Sequence, residues 1–96
     1  MSEKTEIEEI RKQLEKVTLE IFNLCEKRLQ LSKKIGELKA NAGMPIENAQ
    51  VEQSLKNKVL EKCRKQGLDE NFSLNLLQLL LEESKRVQRD IIKSRR

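Results

Sequence analysis

The sequence predicts an all-α protein whose single domain, residues 1–96, contains three helices in the order long, short, long. Apolar residues recur every three or four positions along most of the chain, which is typical of amphipathic helices. The three Gly and one Pro fall where these periodic segments end, apart from one Gly inside the first segment. β-Branched and aromatic residues, which favour strands, are few. We therefore expect helices at about residues 5–42, 48–66 and 70–93.

The first predicted helix carries an apolar seam without a break in its register. Its positions alternate between spacings of three and four residues, as in helices that pack like a coiled coil. Arg28 occupies one position where the pattern calls for an apolar side chain, and a buried guanidinium is costly unless it is paired. Gly43 and Pro45 are expected to end the helix. The seam consists of Ile7, Ile10, Leu14, Val17, Ile21, Leu24, Arg28, Leu31, Ile35, Leu38 and Ala42.

The length of this helix predicts a homodimer. At 1.5 Å per residue the helix extends for about 55 Å, whereas a compact globule of this chain length has a diameter of about 32 Å. The rest of the chain is too short to cover the seam from end to end. We therefore expect a second copy of the chain to cover the remainder.

The second and third helices are bounded by residues that commonly cap helices. Asn48 is a good N-cap for the second helix, and Gly67 is suited to the position just past its end. Asp69 or Asn71 can cap the third helix. Ser84 is a second polar residue where the pattern calls for an apolar one. The seam of the third helix consists of Leu77, Leu80, Ser84, Val87 and Ile91.

The composition argues against several classes of function. The chain has no His, so imidazole catalysis and His-ligated metal sites are excluded. It has no Trp or Tyr for stacking on bases, and acidic residues alternate with basic ones along every helix, which argues against nucleic-acid binding. No apolar run approaches the roughly 18 residues of a membrane span, and no signal peptide is recognisable. The net charge of +4 is compatible with an anionic small ligand.

Cysteine usage favours a cytoplasmic protein. Cys25 and Cys63 stand alone, without a CxxC motif or the regular spacing of a disulfide framework. Such cysteines are typical of reduced thiols in the cytosol.

Three cations on the first helix form a candidate binding set. Arg28 and Lys39 are separated by three turns plus about 20°, so they share a face and lie about 16 Å apart along the axis. A ligand with two separated anionic groups would fit between them, although both side chains could instead extend to solvent. Arg11 lies about 25 Å before Arg28. In an antiparallel helix dimer centred near residue 22, Arg11 of the partner subunit would lie opposite residue 33, between the two cations.

Polar residues on the other helices have two interpretations each. Ser84 and Gln88 are one turn apart and share a face of the third helix, where they either line a site or form a solvated polar stripe. Glu52 lies in the first turn of the second helix, where an acid also interacts favourably with the helix dipole.

These polar residues, in their order along a long–short–long helical plan, resemble those of the all-helical (type II) chorismate mutases. The resemblance covers roughly residues 6–92. It includes the stretches IRKQLEKV, EKRLQLSKKIGELK, GMPIENAQVEQSL and LLQLLLEESKRVQ. The residues that carry it are Arg11, Arg28, Lys39, Glu52, Ser84 and Gln88.

The resemblance implies an isomerase that rearranges chorismate to prephenate in the biosynthesis of Phe and Tyr. It implies an intertwined homodimer with two active sites, each built mostly from one chain, and no cofactor or metal. Arg28, helped by Ser84, would hold one substrate carboxylate. Arg11 of the partner subunit and Lys39 would hold the other. Lys39 and Gln88 would also donate hydrogen bonds to the ether oxygen.

The ring hydroxyl of the substrate is assigned by the same resemblance to Glu52, which would accept its hydrogen bond. Two nearby positions depart from the family pattern. Members commonly carry an acid where this chain has Asn48, and an Arg where it has Val51. Asn48 can still cap the helix and offer its backbone N–H near the hydroxyl. Val51 removes a cation beside Glu52, which we expect to weaken substrate binding or to leave that carboxylate less well oriented.

Two other functions remain open at this point. A lyase of the same fold that eliminates pyruvate from isochorismate would use a similar cationic pocket. A helical dimer without catalysis would have the same helices. It would be either purely structural or a regulatory domain that binds chorismate or prephenate without turnover.

Overall fold

The computed structural model describes residues 2–95 and confirms an all-helical chain with three helices. Helix α1 spans Glu3–Ala42, α2 spans Ala49–Gln66 and α3 spans Glu70–Ser94. Within residues 2–95, no helix is both long enough and apolar enough to cross a membrane.

The ends of α1 follow from its terminal residues. The Ser2 side chain accepts a hydrogen bond from the Thr5 backbone N–H, and Glu3 and Glu6 place negative charge in the first turn, where the helix dipole favours it. At the other end, Gly43 adopts a left-handed conformation with φ of 66° and donates its backbone N–H to the last turn. Only glycine adopts this conformation without steric cost, so residue 43 ends the helix.

The expected caps of α2 and α3 are observed. The Asn48 side chain accepts from the Val51 backbone N–H at the start of α2, and Gly67 ends the helix at φ of 70°. Asp69, rather than Asn71, caps α3 by accepting from the Phe72 backbone N–H. Each acceptor satisfies a donor that the first turn of a helix would otherwise leave without a partner.

Helix α3 is the helix against which the other two pack. It packs against both α1 and α2, whereas α1 and α2 do not pack against each other within residues 2–95. Within the described residues the buried apolar side chains are few, namely Cys63, Leu77 and Val87. The molecule measures 62 × 28 × 14 Å, and its radius of gyration is 17.9 Å, well above the ~12.5 Å of a compact chain of this length.

The seam of α1 is left uncovered by its own chain. Every residue from 2 to 24 is exposed, and α1 begins to be covered only at Cys25. Further along, Leu31, Ile35 and Leu38 are also exposed. One chain therefore covers part of the C-terminal half of α1 and leaves an apolar face along nearly its whole length.

Candidate active site

The candidate site is built on the face of α1 that packs against α3. Arg28 is half-buried, and its Nη1 donates to the Leu80 carbonyl oxygen at 2.9 Å and to the Ser84 hydroxyl. The Ser84 hydroxyl lies 2.8 Å from that of Ser32, and both serines are buried. The polar residue in the α1 seam is thus met by the polar residue in the α3 seam. The guanidinium is held in place by neutral acceptors.

Lys39 is fixed at the C-terminal end of α1. Its side chain is half-buried, and its Nζ donates to the Ile46 carbonyl oxygen in the turn before α2, at 2.6 Å. An ammonium has three donors, so further donors remain for a ligand. The turn between α1 and α2 therefore determines where this cation is presented.

Neither of these two cations has an acidic partner in the part of the chain that the structure describes. Among residues 2–95, no carboxylate lies within salt-bridge distance of Arg28 or Lys39. Nη2 and Nε of Arg28 make no hydrogen bond within the same range. Partly buried cations are ordinarily paired. This face is therefore electrostatically suited to an anionic ligand.

Glu52 is paired with a residue that the sequence did not single out. Its Oε1 lies 2.7 Å from Lys85 Nζ, and Glu47 Oε1 lies 3.3 Å from the same ammonium. The hydrogen bond to Glu52 is the main cause of a raised pKa for Lys85. Because that pKa is higher in the folded chain, the pair stabilises the fold at neutral pH, and this contribution is lost only as the pH rises through the raised value.

Gln88 lies against α1 and is buried. Its Oε1 is enclosed and makes no hydrogen bond within residues 2–95. Gly36 of α1 permits this close packing, since a Cβ on residue 36 would lie 3.0 Å from Gln88 Cγ and 3.3 Å from Gln88 Cα. Oε1, and not Nε2, is the atom of this amide that is enclosed without a hydrogen-bond partner. The amide can therefore present its donor group on the accessible side.

Arg11 is not brought to this site within one chain. It is exposed and lies in the part of α1 that no other helix covers. The α1 axis separates it from Arg28 by about 25 Å, far beyond the reach of its side chain. Asn48 is also exposed, and its side chain is used for the α2 cap. One chain thus assembles Arg28, Lys39 and the α3 residues.

Sequence reasoning missed three residues of this region, namely Ser32, Gly36 and Lys85. Ser32 and Gly36 follow Arg28 at successive spacings of four, so a row of small residues beginning at the Arg in the apolar seam was the available signal. Lys85 gave no such signal, because its pairing with Glu52 depends on how α2 packs against α3. Ser32 and Gly36 contact the residues of α3 that belong to the candidate site, and Lys85 pairs with Glu52.

Comparison with known proteins identifies the family. Residues 10–89 match the family described as chorismate mutase type II. A chorismate mutase of Methanocaldococcus jannaschii is 29% identical over 84 residues, which is 88% of this chain and 85% of that protein. A 4-amino-4-deoxychorismate mutase of Streptomyces venezuelae is 26% identical over 95 residues, covering 99% of this chain and 91% of that protein.

A longer protein also shares part of the sequence. A bifunctional chorismate mutase/prephenate dehydratase of Aquifex aeolicus is 36% identical over 55 residues, which is 57% of this chain and 15% of that protein. No solved structure gave a significant match. The family match extends over most of the chain and includes all of α2 and most of α1 and α3. The chain belongs to the type II chorismate mutase family and is an isomerase of that family.

Proposed function

We propose that this protein, as a single domain over residues 1–96, catalyses the rearrangement of chorismate to prephenate for the biosynthesis of Phe and Tyr. The observation that carries the proposal is the pair Arg28 and Lys39. Both are half-buried on α1, and neither has a carboxylate partner within residues 2–95. Chorismate is a dicarboxylate, so it supplies the two negative groups that this arrangement lacks.

The proposal assigns each of these side chains to particular groups of the substrate. Arg28 holds one substrate carboxylate, supported from below by Ser84, which accepts its hydrogen bond. Lys39 contacts the other carboxylate and also donates to the ether oxygen. Gln88 donates to the same oxygen through Nε2, and its enclosed Oε1 is consistent with this orientation of the amide. Glu52 accepts from the ring hydroxyl, near the backbone N–H of Asn48.

The proposed reaction needs no acid, base, metal or nucleophile. It is a unimolecular pericyclic shift in which a C–O bond breaks while a C–C bond forms. The protein has to hold the flexible enolpyruvyl side chain over the ring in the reactive conformer. It also has to stabilise the negative charge that grows on the ether oxygen as the C–O bond lengthens. A fixed ammonium and a neutral amide donor are suited to that second task.

A homodimer completes the site in this proposal. Ile7, Leu14 and Ile21 on the N-terminal half of α1 are exposed, and no other part of the described chain covers them. An antiparallel, intertwined pairing of two α1 helices about residue 22 would bury this face. It would also place Arg11 of the partner subunit opposite residue 33, between Arg28 and Lys39. Arg11 then binds the second carboxylate together with Lys39.

The substrate is tested by assaying the purified protein with chorismate and, separately, with isochorismate. We expect prephenate from chorismate and no release of pyruvate from isochorismate. Pyruvate release as the main activity would identify the lyase instead. Binding of chorismate or prephenate without turnover would identify a regulatory domain. We expect neither a cofactor nor a metal to be required, and we expect the protein to be cytoplasmic.

The assembly is tested by size-exclusion chromatography with light scattering. A mass of twice the 11.3 kDa chain is expected across the concentrations used for the activity assay. A monomer with full activity would contradict the shared site, because Arg11 could not then reach the substrate.

A further inference from the structure

Lys85 is the cation that pairs with Glu52 within residues 2–95. Val51 is apolar, and Lys56, one turn further along α2, forms no salt bridge with this acid in the same range. Lys85 belongs to α3 and follows Ser84 directly, so it connects the start of α2 to the helix that carries Ser84 and Gln88. The Lys85 and Glu52 side chains are 22% and 27% exposed, whereas Glu47 is 69% exposed. The shorter and more enclosed contact is the one with Glu52.

We propose that Lys85 determines specificity for the substituent on the substrate ring, favouring a neutral hydroxyl over an amino group. This inference rests on the proposed function, in which Glu52 accepts a hydrogen bond from that substituent. Lys85 engages Oε1 of Glu52, which orients the carboxylate and leaves Oε2 for the substrate.

The charge balance of the pair is the reason for this preference. A lone carboxylate attracts a protonated amine more strongly than a neutral hydroxyl, because the amine brings a full positive charge. With Lys85 bound to it at 2.7 Å, the charge of the Glu52 carboxylate is largely offset. Glu47, the second acid on this ammonium, is farther away at 3.3 Å and 69% exposed, so solvent screens its charge. A second ammonium on the same carboxylate would also be repelled by the first. A hydroxyl needs only one free acceptor oxygen, which the pair still provides.

The contrast between these two substituents occurs among similar proteins. One relative is named chorismate mutase and another 4-amino-4-deoxychorismate mutase, and both align with most of this chain. Their named substrates differ in whether the ring carries a hydroxyl or an amino group at one carbon. The group that faces this carbon is therefore where discrimination between them is needed.

The test compares kcat/KM for chorismate and for 4-amino-4-deoxychorismate in the wild type and in variants. We expect the wild type to favour chorismate, and Lys85→Met to move the ratio toward the amino substrate by about tenfold. Lys85→Arg keeps a cation and should keep the ratio within about threefold. Lys65→Met is the matched control, because Lys65 is also paired with an acid, Glu61, but at 75% exposure on the surface of α2.

The outcomes separate this inference from the proposed function. An unchanged ratio in Lys85→Met, with a lower melting temperature, would assign Lys85 a structural role only and overturn the inference. A wild type that favours the amino substrate would overturn it as well. A wild type that converts neither substrate would overturn the proposed function and the inference with it. Lys85→Gln, which keeps a polar side chain, provides the same comparison if Lys85→Met does not fold.

Discussion

Gly36 of α1 and Gln88 of α3 are so close that a methyl group on residue 36 would lie 3.0 Å from Gln88 Cγ and 3.3 Å from its Cα. Carbon atoms in favourable contact are separated by about 3.5–4.0 Å. One of the two helices would therefore have to move to accommodate a larger residue. The position of Gln88 relative to Lys39 thus depends on the absence of a side chain at residue 36.

Gly36→Ala is the first prediction. In an exposed helix interior this change would add about 0.5–1 kcal/mol of stability. Here we expect a net loss of about 1–2 kcal/mol from overpacking, together with about a tenfold loss of kcat as Gln88 shifts. Urea unfolding and steady-state kinetics measure the two effects. Adding Gln88→Ala removes the closest clashing atom and should recover part of the stability but none of the activity. A higher melting temperature for Gly36→Ala would contradict the close contact.

Lys39→Ala is expected to reduce kcat by at least about 100-fold, because it removes a charged donor from the developing negative charge on the ether oxygen. Lys33→Ala is the control, since Lys33 is an exposed lysine on the same helix. We expect it to leave kcat within about twofold of the wild type. Similar losses in the two variants would show that general positive charge, rather than a positioned ammonium, supports turnover.

Two inactive variants should complement each other if the site is shared between subunits. We expect Arg11→Ala and Lys39→Ala to be nearly inactive as separate homodimers. In a heterodimer of the two, one site combines the intact Lys39 of one chain with the intact Arg11 of the other. The heterodimer, purified with two different affinity tags, should have about half the wild-type activity per dimer. C2 symmetry gives two sites, of which one is intact. No recovery in a verified heterodimer would place Arg11 outside the partner's site.

Arg28→Leu separates a binding role from a structural one. Ser84 retains Ser32 as a hydrogen-bond partner at 2.8 Å, so the change leaves no buried hydroxyl without a partner. We expect unfolding free energy to be unchanged or higher by up to about 1 kcal/mol, while activity falls by at least about 100-fold. Chemical denaturation measures the unfolding free energy, and steady-state kinetics measures the activity. Arg64→Leu is the control, because Arg64 is an exposed residue of α2. Retained turnover in Arg28→Leu would favour a helical dimer in which this Arg binds no substrate.

The activity is expected to vary little between about pH 5 and 8, because Gln88, which donates to the ether oxygen, does not titrate. Gln88→Glu supplies the comparison. A carboxyl group donates only when it is protonated, and its protonated fraction falls tenfold for each pH unit above its pKa. The variant should therefore gain activity as the pH falls, whereas the wild type should not. A flat profile for Gln88→Glu would argue against donation from residue 88.

The helices could be predicted from the sequence because local signals determine where each one begins and ends. Asn48, Gly67 and Asp69 act within one turn of their own positions, so capping chemistry is visible in the sequence. The periodicity of α3 placed Ser84 and Val87 in one seam, although it left open whether Ser84 was solvated, and both residues are buried. Such features need no knowledge of how the helices are arranged.

The candidate site could be predicted only in part, because half of it depends on contacts between helices. Arg28 and Lys39 share a face of one helix, which spacing alone reveals. The pairing of Glu52 with Lys85 and the contact of Gly36 with Gln88 join residues far apart in the sequence. Neither follows from periodicity, since both depend on the distance and rotation between packed helices. The resemblance indicated that Val51 stands where family members carry an Arg beside Glu52. It did not indicate that Lys85 of α3 pairs with this acid.

The uncovered first half of α1 has a consequence for how the native state arises. Most of a helix's stability in a protein comes from packing of its apolar face, and residues 2–24 gain no burial from their own chain. In the proposed homodimer the order of this segment would come from association, so assembly and completion of folding would be one event. Dilution would then unravel the helix and abolish turnover together, and the midpoint of thermal melting should rise with protein concentration.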